Sequence, residues 1–360
     1  MNVEKFYQTY SSDCWASSAS QVLTRHEKPV TVTGRCWYRI AHGGENYALL
    51  FTNKIDSTFE DGSTSVANDI GGEWTINSMR VGLCHKNEDG SYTEPEKFHT
   101  VTFEGKETYT VSSPDPFHTD PIPLHAKAGD SVCYEITLTG ACYPYHMEII
   151  LPVKWLENGE WVDARQVPVP LMIGCDRKVN RRIAFIGDSI TQGCGTPYDS
   201  YTHWVAKIAE GLDPSDSVWD LGIGYARGYD AATDQGWLAR AKTCDIVNVC
   251  FGVNDILRGR TADQVVADLE TIINALHKAG CKVVLFTVPP FDMEGEAQKH
   301  WYAVNAAIRT ELVKKADRIF DFAKALGQPA PNEYRSIYCG HPNVEGCAVA
   351  AKAYLAEKIL

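Results

Sequence analysis

The fold of the C-terminal half is decided by residues 182–193, which read RIAFIGDSITQG. The run opens with the apolar segment Ile183–Ile186, which has the length and composition of a buried strand. It then passes into a Gly-Asp-Ser turn, so that Ser189 follows the strand directly. The stretch therefore predicts a strand with a serine hydroxyl at its carboxyl end, where the chain turns.

The same alternation of apolar runs and amphipathic stretches continues to the end of the chain. The four further predicted strands are Val218–Leu221, Ile246–Phe251, Val283–Val288 and Ile319–Phe322, with helices near 200–212, 231–242, 261–279, 295–316 and 344–358. Five such βα units predict an α/β domain over residues 176–360, with a five-stranded parallel sheet and helices on both faces. Right-handed crossovers place all the strand carboxyl ends at one edge, where ligands bind in open sheets.

The first half of the chain has a different pattern. Short β-branched and aromatic runs alternate with turn residues, and Val132–Leu138 shows the period of two that is typical of a half-buried strand. The proline-containing connector Val167–Pro170 cannot be helical. We therefore expect an all-β sandwich or jelly-roll domain over residues 1–175, which could contact carbohydrate.

Composition excludes several classes of function. The 360 residues include 34 Lys and Arg against 46 Asp and Glu, a formal net charge of −12, without the basic cluster that nucleic-acid binding requires. No apolar stretch approaches the ~18 residues of a membrane span, and the first residues do not form a secretory leader. The sequence predicts no membrane association, a cytoplasmic location, and no metal site, because the histidines and cysteines lack ligand spacing.

Three polar residues fall where the predicted fold places ligand-binding loops. Ser189 follows the first strand, Asn254 follows the third, and His341 precedes the last helix. A serine there can cap a helix, an asparagine can form a turn, and a loop histidine can lie at the surface. Together, however, they could supply a nucleophile, a donor to an oxyanion and a general base. The neighbouring acids Asp188 and Asp255 are interpreted as structural, bonding backbone N–H groups of their loops.

The ordered motifs GDSIT, GVND and HPN over residues 181–360 resemble the SGNH/GDSL hydrolase superfamily. The resemblance implies a flavodoxin-like sheet, with Ser189 as nucleophile and His341 as base. It further implies an oxyanion hole formed by the Ser189 N–H, the Asn254 amide and a backbone N–H after the second strand. For this last donor we choose Gly224, with Gly222 as the alternative.

One position departs from the superfamily pattern. An Asp usually lies three residues before the catalytic histidine, but here that position is Tyr338. Either Glu333, another acid or a backbone carbonyl orients the imidazole, or the site works as a Ser–His dyad. If the site is a dyad, we expect a carbonyl between Asn332 and Tyr338 to hold Nδ1 of His341.

The predicted β domain before this hydrolase domain resembles carbohydrate esterase family two, in the segments Thr119–Leu124 and Ala128–Asp130. The resemblance implies a serine esterase that removes acetyl groups from carbohydrates through an acyl-enzyme, with no metal or cofactor. Its expected partner is a small-molecule or oligosaccharide ester, and the sequence indicates no oligomeric state. The alternatives are a lipase or thioesterase of the same superfamily, and a carbohydrate-binding protein that has lost catalysis.

Overall fold

The computed structural model describes residues 2–233 and 236–359. The chain divides into two compact units. The first unit comprises Met1–Ile55 and Gly62–Asn180, and the second comprises Asp56–Asp61 and Arg181–Leu360. The second unit is thus discontinuous in sequence, because a six-residue segment from the N-terminal half belongs to it.

The first unit contains one short helix and, among its described residues, otherwise strands. Its elements are α1 (Val3–Thr9), β1 (Ser11–Ser12), β2 (Val22–Leu23), β3 (Val30–Arg39), β4 (Gly43–Gly44), β5 (Tyr47–Phe51), β6 (Trp74–Cys84), β7 (Phe98–Thr100), β8 (Tyr109–Val111), β9 (Phe117–His118), β10 (Ala126–Lys127), β11 (Ser131–Gly140), β12 (Pro144–Tyr145), β13 (Val153–Glu157), β14 (Glu160–Asp163) and β15 (Met172–Cys175).

The strands of this unit pair antiparallel. The larger sheet has the order β14-β13-β3-β11-β6-β7, with β8 also paired to β6, and a smaller one has the order β1-β15-β5-β9. The alternation predicted around Val132–Leu138 lies in β11, where the side chains of Val132, Tyr134, Ile136 and Leu138 are all buried. The prediction of a β-rich first half is confirmed.

The second unit alternates strands and helices. Its elements are β16 (Arg182–Gly187), α2 (Ser189–Gln192), α3 (Trp204–Gly211), β17 (Ser217–Gly222), α4 (Gly228–Ala231), α5 (Gly236–Ala241), β18 (Ile246–Cys250), α6 (Val253–Leu257), α7 (Ala262–Lys278), β19 (Lys282–Phe286), α8 (Gly295–Thr310), a 3₁₀ turn (Leu312–Lys314), β20 (Arg318–Phe320), α9 (Phe322–Leu326) and α10 (Val344–Ala356).

The five strands found in the described part of this unit form one parallel sheet in the order β17-β16-β18-β19-β20. This is the flavodoxin-like order. After β16, the chain adds β17 on one side of that strand, and then adds β18, β19 and β20 in turn on its other side. Each predicted strand is present within two residues of its expected ends. The predicted α/β fold is therefore confirmed.

The helices differ from prediction in three places. The helix expected near 200–212 begins only at Trp204, because Asp199 and Tyr201 have positive φ. The helix expected at 231–242 is replaced by α4 and α5, and its residues 234–235 lie outside the described part of the chain. The helix expected at 295–316 ends at Thr310 and is followed by the 3₁₀ turn.

Candidate active site

The predicted nucleophile lies on a one-turn helix at the carboxyl edge of the parallel sheet. Ser189 is the first residue of α2, immediately beyond the end of β16. The carboxylate of Asp188 caps the helix by accepting the Ile190 N–H at 2.9 Å. Gly193 closes it in the left-handed region at φ 102°, where a side chain would be strained. The position of Ser189 is therefore set at both ends of its helix.

Two buried side chains connect this helix to its surroundings. The indole Nε1 of Trp204 donates to the Ile190 carbonyl at 2.8 Å. The carboxamide Oε1 of Gln192 accepts the Gly224 N–H at 2.6 Å. The nucleophile helix is thus bonded to α3 on one side and to the loop after β17 on the other.

The predicted base reaches the predicted nucleophile. His341 lies in the loop before α10, whose first turn Asn343 caps by accepting the Gly346 N–H at 2.9 Å. Nε2 of His341 lies 2.8 Å from Oγ of Ser189. Two residues that are 152 positions apart in sequence therefore form the hydrogen-bonded pair that nucleophilic catalysis requires.

An aromatic side chain packs against the partly buried imidazole. The ring of Phe291 packs edge to face against it, with 5.2 Å between ring centroids and 82° between planes. Burial lowers the pKa of His341 below its ordinary value. At neutral pH the ring is therefore neutral, which is the form that can accept a proton from serine.

Among the described residues, no acid orients the second ring nitrogen. Within residues 2–233 and 236–359, Nδ1 of His341 has no hydrogen-bond partner, neither a carboxylate nor the expected carbonyl of the 332–338 loop. The Glu333 carboxylate accepts a hydrogen bond from the Tyr302 hydroxyl at 3.1 Å instead. The carbonyl of Tyr338 accepts the Asn343 N–H at 3.1 Å. The arrangement is that of a Ser–His pair without a third member.

The predicted oxyanion donors start from two elements at this edge. Asn254 is the second residue of α6, which follows β18 through Gly252. Its Nδ2 donates one hydrogen to the Ala226 carbonyl at 3.1 Å, and an amide NH₂ has a second hydrogen to give. The Ser189 N–H lies in the first turn of α2, where backbone donors have no partner within the helix.

The glycine predicted as third donor is engaged elsewhere. The Gly224 N–H donates to Gln192, as described above, and the Gly222 N–H donates to Oδ1 of Asp220 at 2.8 Å. An oxyanion could bind the Gly224 N–H only in exchange for the Gln192 carboxamide. The role of the Gly224 N–H as an oxyanion donor therefore stays a prediction, and it requires that the bond to Gln192 be broken.

The two acids interpreted as structural behave as expected. Asp188 caps α2, and Asp255 accepts the N–H groups of Gly228 at 2.9 Å and Tyr229 at 3.1 Å. Burial, aided by the charge of Asp255, raises the pKa of Asp188 to about 7, and burial raises that of Asp255 to about 6. Both carboxyl groups therefore hold loops in place, and neither forms a hydrogen bond or ion pair with Ser189 or His341 among the described residues.

Three contributors to the site were not found from the sequence. Gln192 stands inside the serine motif, so its position was visible but its bond to the next loop was not. Phe291 lies after β19 in a stretch with no distinguishing pattern. Ser57 belongs to the segment Asp56–Asp61, which gave no signal of membership in this unit.

Among the described residues, no group of three or more His, Cys, Asp or Glu side chains is arranged to hold a metal ion. Among the same residues, no helix combines the length and the apolar character needed to span a membrane.

Residues 185–349 match the model of the GDSL-like lipase/acylhydrolase family. The match includes Ser189, Gly224, Asn254, Glu333 and His341. No curated protein matches the chain.

Several solved structures resemble about half of the chain. A lipolytic protein of the G-D-S-L family from Veillonella parvula is 20% identical, with 49% of this chain and 96% of that chain covered and a TM-score of 0.40. A catalytic mutant of an acetylxylan esterase from Geobacillus stearothermophilus is 20% identical, with 50% and 94% covered and a TM-score of 0.38. A GDSL-like lipase from Bacteroides thetaiotaomicron is 16% identical, with 50% and 89% covered and a TM-score of 0.40.

Proposed function

Because the chain carries a GDSL-like lipase/acylhydrolase domain at residues 185–349, we propose that it is a serine esterase that removes acetyl groups from O-acetylated carbohydrates. The observation that carries the proposal is the 2.8 Å contact between Oγ of Ser189 and Nε2 of His341. It lies at the sheet edge where Asn254 also emerges. A nucleophile, a base and an amide donor are the minimum set for acyl transfer to serine.

In the first half of the reaction, the Ser189 hydroxyl attacks the ester carbonyl while His341 takes its proton at Nε2. The carbonyl oxygen becomes an oxyanion, which accepts hydrogen bonds from the Ser189 N–H and the Asn254 amide. A third donor comes from the loop after β17, with the Gly224 N–H as the predicted one. Donors aimed at charge that exists only in the transition state lower the barrier rather than tighten substrate binding.

The intermediate then collapses. The bond to the sugar oxygen breaks, and that oxygen receives the proton from the His341 imidazolium, which leaves an acetyl group on Ser189. A water molecule gives a proton to His341 and attacks the acetyl carbonyl, so that acetate leaves and the Ser189 hydroxyl is restored. The lowered pKa of His341 keeps the base neutral between steps.

We infer that nucleophile activation does not depend on an acidic side chain at Nδ1, because no described carboxylate bonds His341. Without a carboxylate, the imidazolium formed during attack lacks a partner of full charge, although such a partner is worth a large factor in true triads. Burial beside Phe291 fixes the ring in position instead. We therefore propose a dyad mechanism.

The preference for a small acyl group rests on the residues around the motifs. The segments at the sheet edge, 187–195, 222–228 and 252–255, are rich in Gly, Asp and Asn. A lipase or thioesterase needs an apolar groove for a long chain. An acetyl group requires only a small space beside the oxyanion donors.

The test measures acetate release from p-nitrophenyl acetate and from acetylated xylo- and manno-oligosaccharides, with wild type beside Ser189→Ala. We expect release from both kinds of substrate by the wild type alone. Faster hydrolysis of p-nitrophenyl esters with longer acyl chains would favour the lipase or thioesterase alternative. Oligosaccharide binding without any acetate release would favour the non-catalytic carbohydrate-binding protein.

A further inference from the structure

The segment Asp56–Asp61 belongs to the catalytic unit, although the residues on both sides of it in sequence belong to the other unit. Its first three residues are buried. Ser57 is completely buried, and Asp56 and Thr58 are buried beside it. A buried polar segment must find hydrogen-bond partners, and its partners show what it does.

Ser57 bonds the loop that is expected to complete the oxyanion hole. Its Oγ donates to the carbonyl oxygen of Gly224 at 3.2 Å. On the other side of the same residue, the Gly224 N–H donates to Gln192, next to the nucleophile. Two residues later, the Ala226 carbonyl accepts the Asn254 amide. The loop is thereby tied to the nucleophile helix, to the amide donor and to Ser57.

The bond to Ser57 also sets the direction of the next backbone N–H. The Gly224 carbonyl and the Tyr225 N–H belong to one planar trans peptide, so they point in opposite directions. Tyr225 has φ 62°, a conformation that a residue with a side chain adopts only when its surroundings impose it. Fixing the Gly224 carbonyl therefore fixes both the peptide plane and the turn that follows.

The residues on both sides of Ser57 are bonded to other parts of the same unit. Asp56 forms an ion pair with Arg240 at 2.5 Å, with both side chains almost fully buried. The Thr58 hydroxyl donates to Oδ1 of Asp230 at 2.9 Å. Nη1 of Arg258 donates to the Thr58 carbonyl at 3.0 Å. The Asp56 ion pair and the Arg258 bond to the Thr58 backbone flank Ser57 in sequence, and both would remain without the Thr58 hydroxyl, so they hold Ser57 against Gly224.

An aromatic contact adds a second link to the same loop. The ring of Phe59 lies 4.8 Å from the ring of Tyr225 at 65°, a T-shaped pair. Such pairs are favourable beyond the area they bury. Ser57 holds the loop backbone at the Gly224 carbonyl, and Phe59 packs against the side chain of Tyr225. The segment therefore restrains both the backbone before Tyr225 and the Tyr225 side chain.

We propose that Ser57 is a positioning residue of the active site, which holds the Gly224–Tyr225 peptide and so sets the conformation of the loop after β17 that is expected to supply the third oxyanion donor. The proposal rests on the proposed esterase function. Ser57 acts through Gly224 and does not touch the substrate. Its effect must therefore appear in the rate of the chemical step and not in substrate affinity.

The kinetic test is Ser57→Ala, assayed with p-nitrophenyl acetate. Removal of the hydroxyl leaves the Gly224 carbonyl without its side-chain donor, and we expect kcat to fall about tenfold, a fraction of the effect of deleting an oxyanion donor outright. KM should stay within about twofold. Ser57→Thr restores a hydroxyl at the same place and should recover most of the lost kcat.

Thr58→Val is the matched control, because it removes the neighbouring buried hydroxyl, whose partner is Asp230 and not the oxyanion loop. We expect its kcat to equal that of the wild type even where its melting temperature is lower. An unchanged kcat in Ser57→Ala, or an equal fall in both variants, would overturn the proposal.

Amide hydrogen exchange separates this inference from the esterase assignment, since it needs no substrate. Exchange within residues 222–226 should be faster in Ser57→Ala than in wild type, with no change in residues 246–257. Ester hydrolysis without this local change would refute the role of Ser57. The local change in a protein that hydrolyses no ester would instead refute the proposed function.

Discussion

The two partners of the Ser189–His341 hydrogen bond are held in place by different means. On the nucleophile side, directional bonds surround the helix: the Asp188 cap, the Trp204 indole and the Gln192 bond to the next loop. On the base side, the imidazole is bonded to Ser189 alone among the described residues, and an aromatic ring packs against it.

In the proposed mechanism, this difference means that the two residues are positioned by different kinds of interaction. Hydrogen bonds fix direction, which is what a nucleophile and its oxyanion donors need before the substrate arrives. Packing fixes position and excludes water, which for a histidine also lowers the pKa. The nucleophile side is therefore preorganised by polar bonds, and the base side by burial. Each kind of support can be removed separately.

The largest effect is expected from removing the nucleophile itself. Ser189→Ala should lower kcat/KM for p-nitrophenyl acetate by on the order of 10⁴-fold or more, as nucleophile deletions do. The fold should persist, because Ser189 is the first residue of α2 and is not one of the buried core residues. Circular dichroism checks the fold, and labelling of the wild type by a serine-directed phosphonate should occur at Ser189. Labelling at a different serine would refute the assignment.

The next effect concerns the polar support of the transition state. Asn254→Ala should lower kcat by on the order of 10²-fold or more and leave KM nearly unchanged, because the amide is aimed at charge that develops only during reaction. Steady-state kinetics with p-nitrophenyl acetate measures both constants. If only KM changed, Asn254 would be a substrate-binding residue and the nucleophile side would lack its expected donor.

The packing support is tested at Phe291. Phe291→Ala should lower kcat about tenfold, because the imidazole loses the ring that sets its position relative to Ser189. The pH profile gives a second readout. Activity requires neutral His341, so kcat/KM rises with pH through the pKa of that residue, which burial holds below its ordinary value. The variant admits water, which should move the midpoint upward, whereas an unchanged midpoint would show that Phe291 does not bury the base.

The smallest effect is expected at the acid that could have completed a triad. Glu333→Ala should cost less than about tenfold in kcat/KM, because the carboxylate is bonded to Tyr302 and not to His341. Tyr338→Phe, at the position where related proteins usually have Asp, is the matched control and should behave likewise. Removal of a true triad acid can cost ~10⁴-fold, so a loss of that size in Glu333→Ala would mean that the base side has a polar support after all.

The parts of the molecule that the sequence predicted are those encoded by local pattern. The apolar runs located all five strands of the parallel sheet, and Thr261 with Gln264 indicated the capping box that starts α7. Ser189, Asn254 and His341 could be placed at one edge, because strand order and right-handed crossovers leave little choice of where strand ends lie.

What the sequence could not provide depends on backbone direction and on distant contacts. Which N–H of the loop after β17 could bind an oxyanion depends on where each N–H points, and the structure shows the Gly224 N–H bonded to Gln192. That no described carbonyl bonds Nδ1 of His341 depends on the conformation of the 332–338 loop, which a local sequence pattern does not determine. Ser57 is separated from Gly224 by 167 residues, and no periodic pattern links them.

The segment Asp56–Asp61 also has a consequence for the order of folding. Its hydrogen bonds to Gly224, Asp230 and Arg258 span 167, 172 and 200 residues. The entropy of closing a chain loop rises with its length, so contacts of such separation form after local ones. The segment leaves the ribosome well before any of these three partners has been synthesised. The parallel sheet can assemble from neighbouring βα units, but the catalytic unit reaches its final form only when this early segment has been captured.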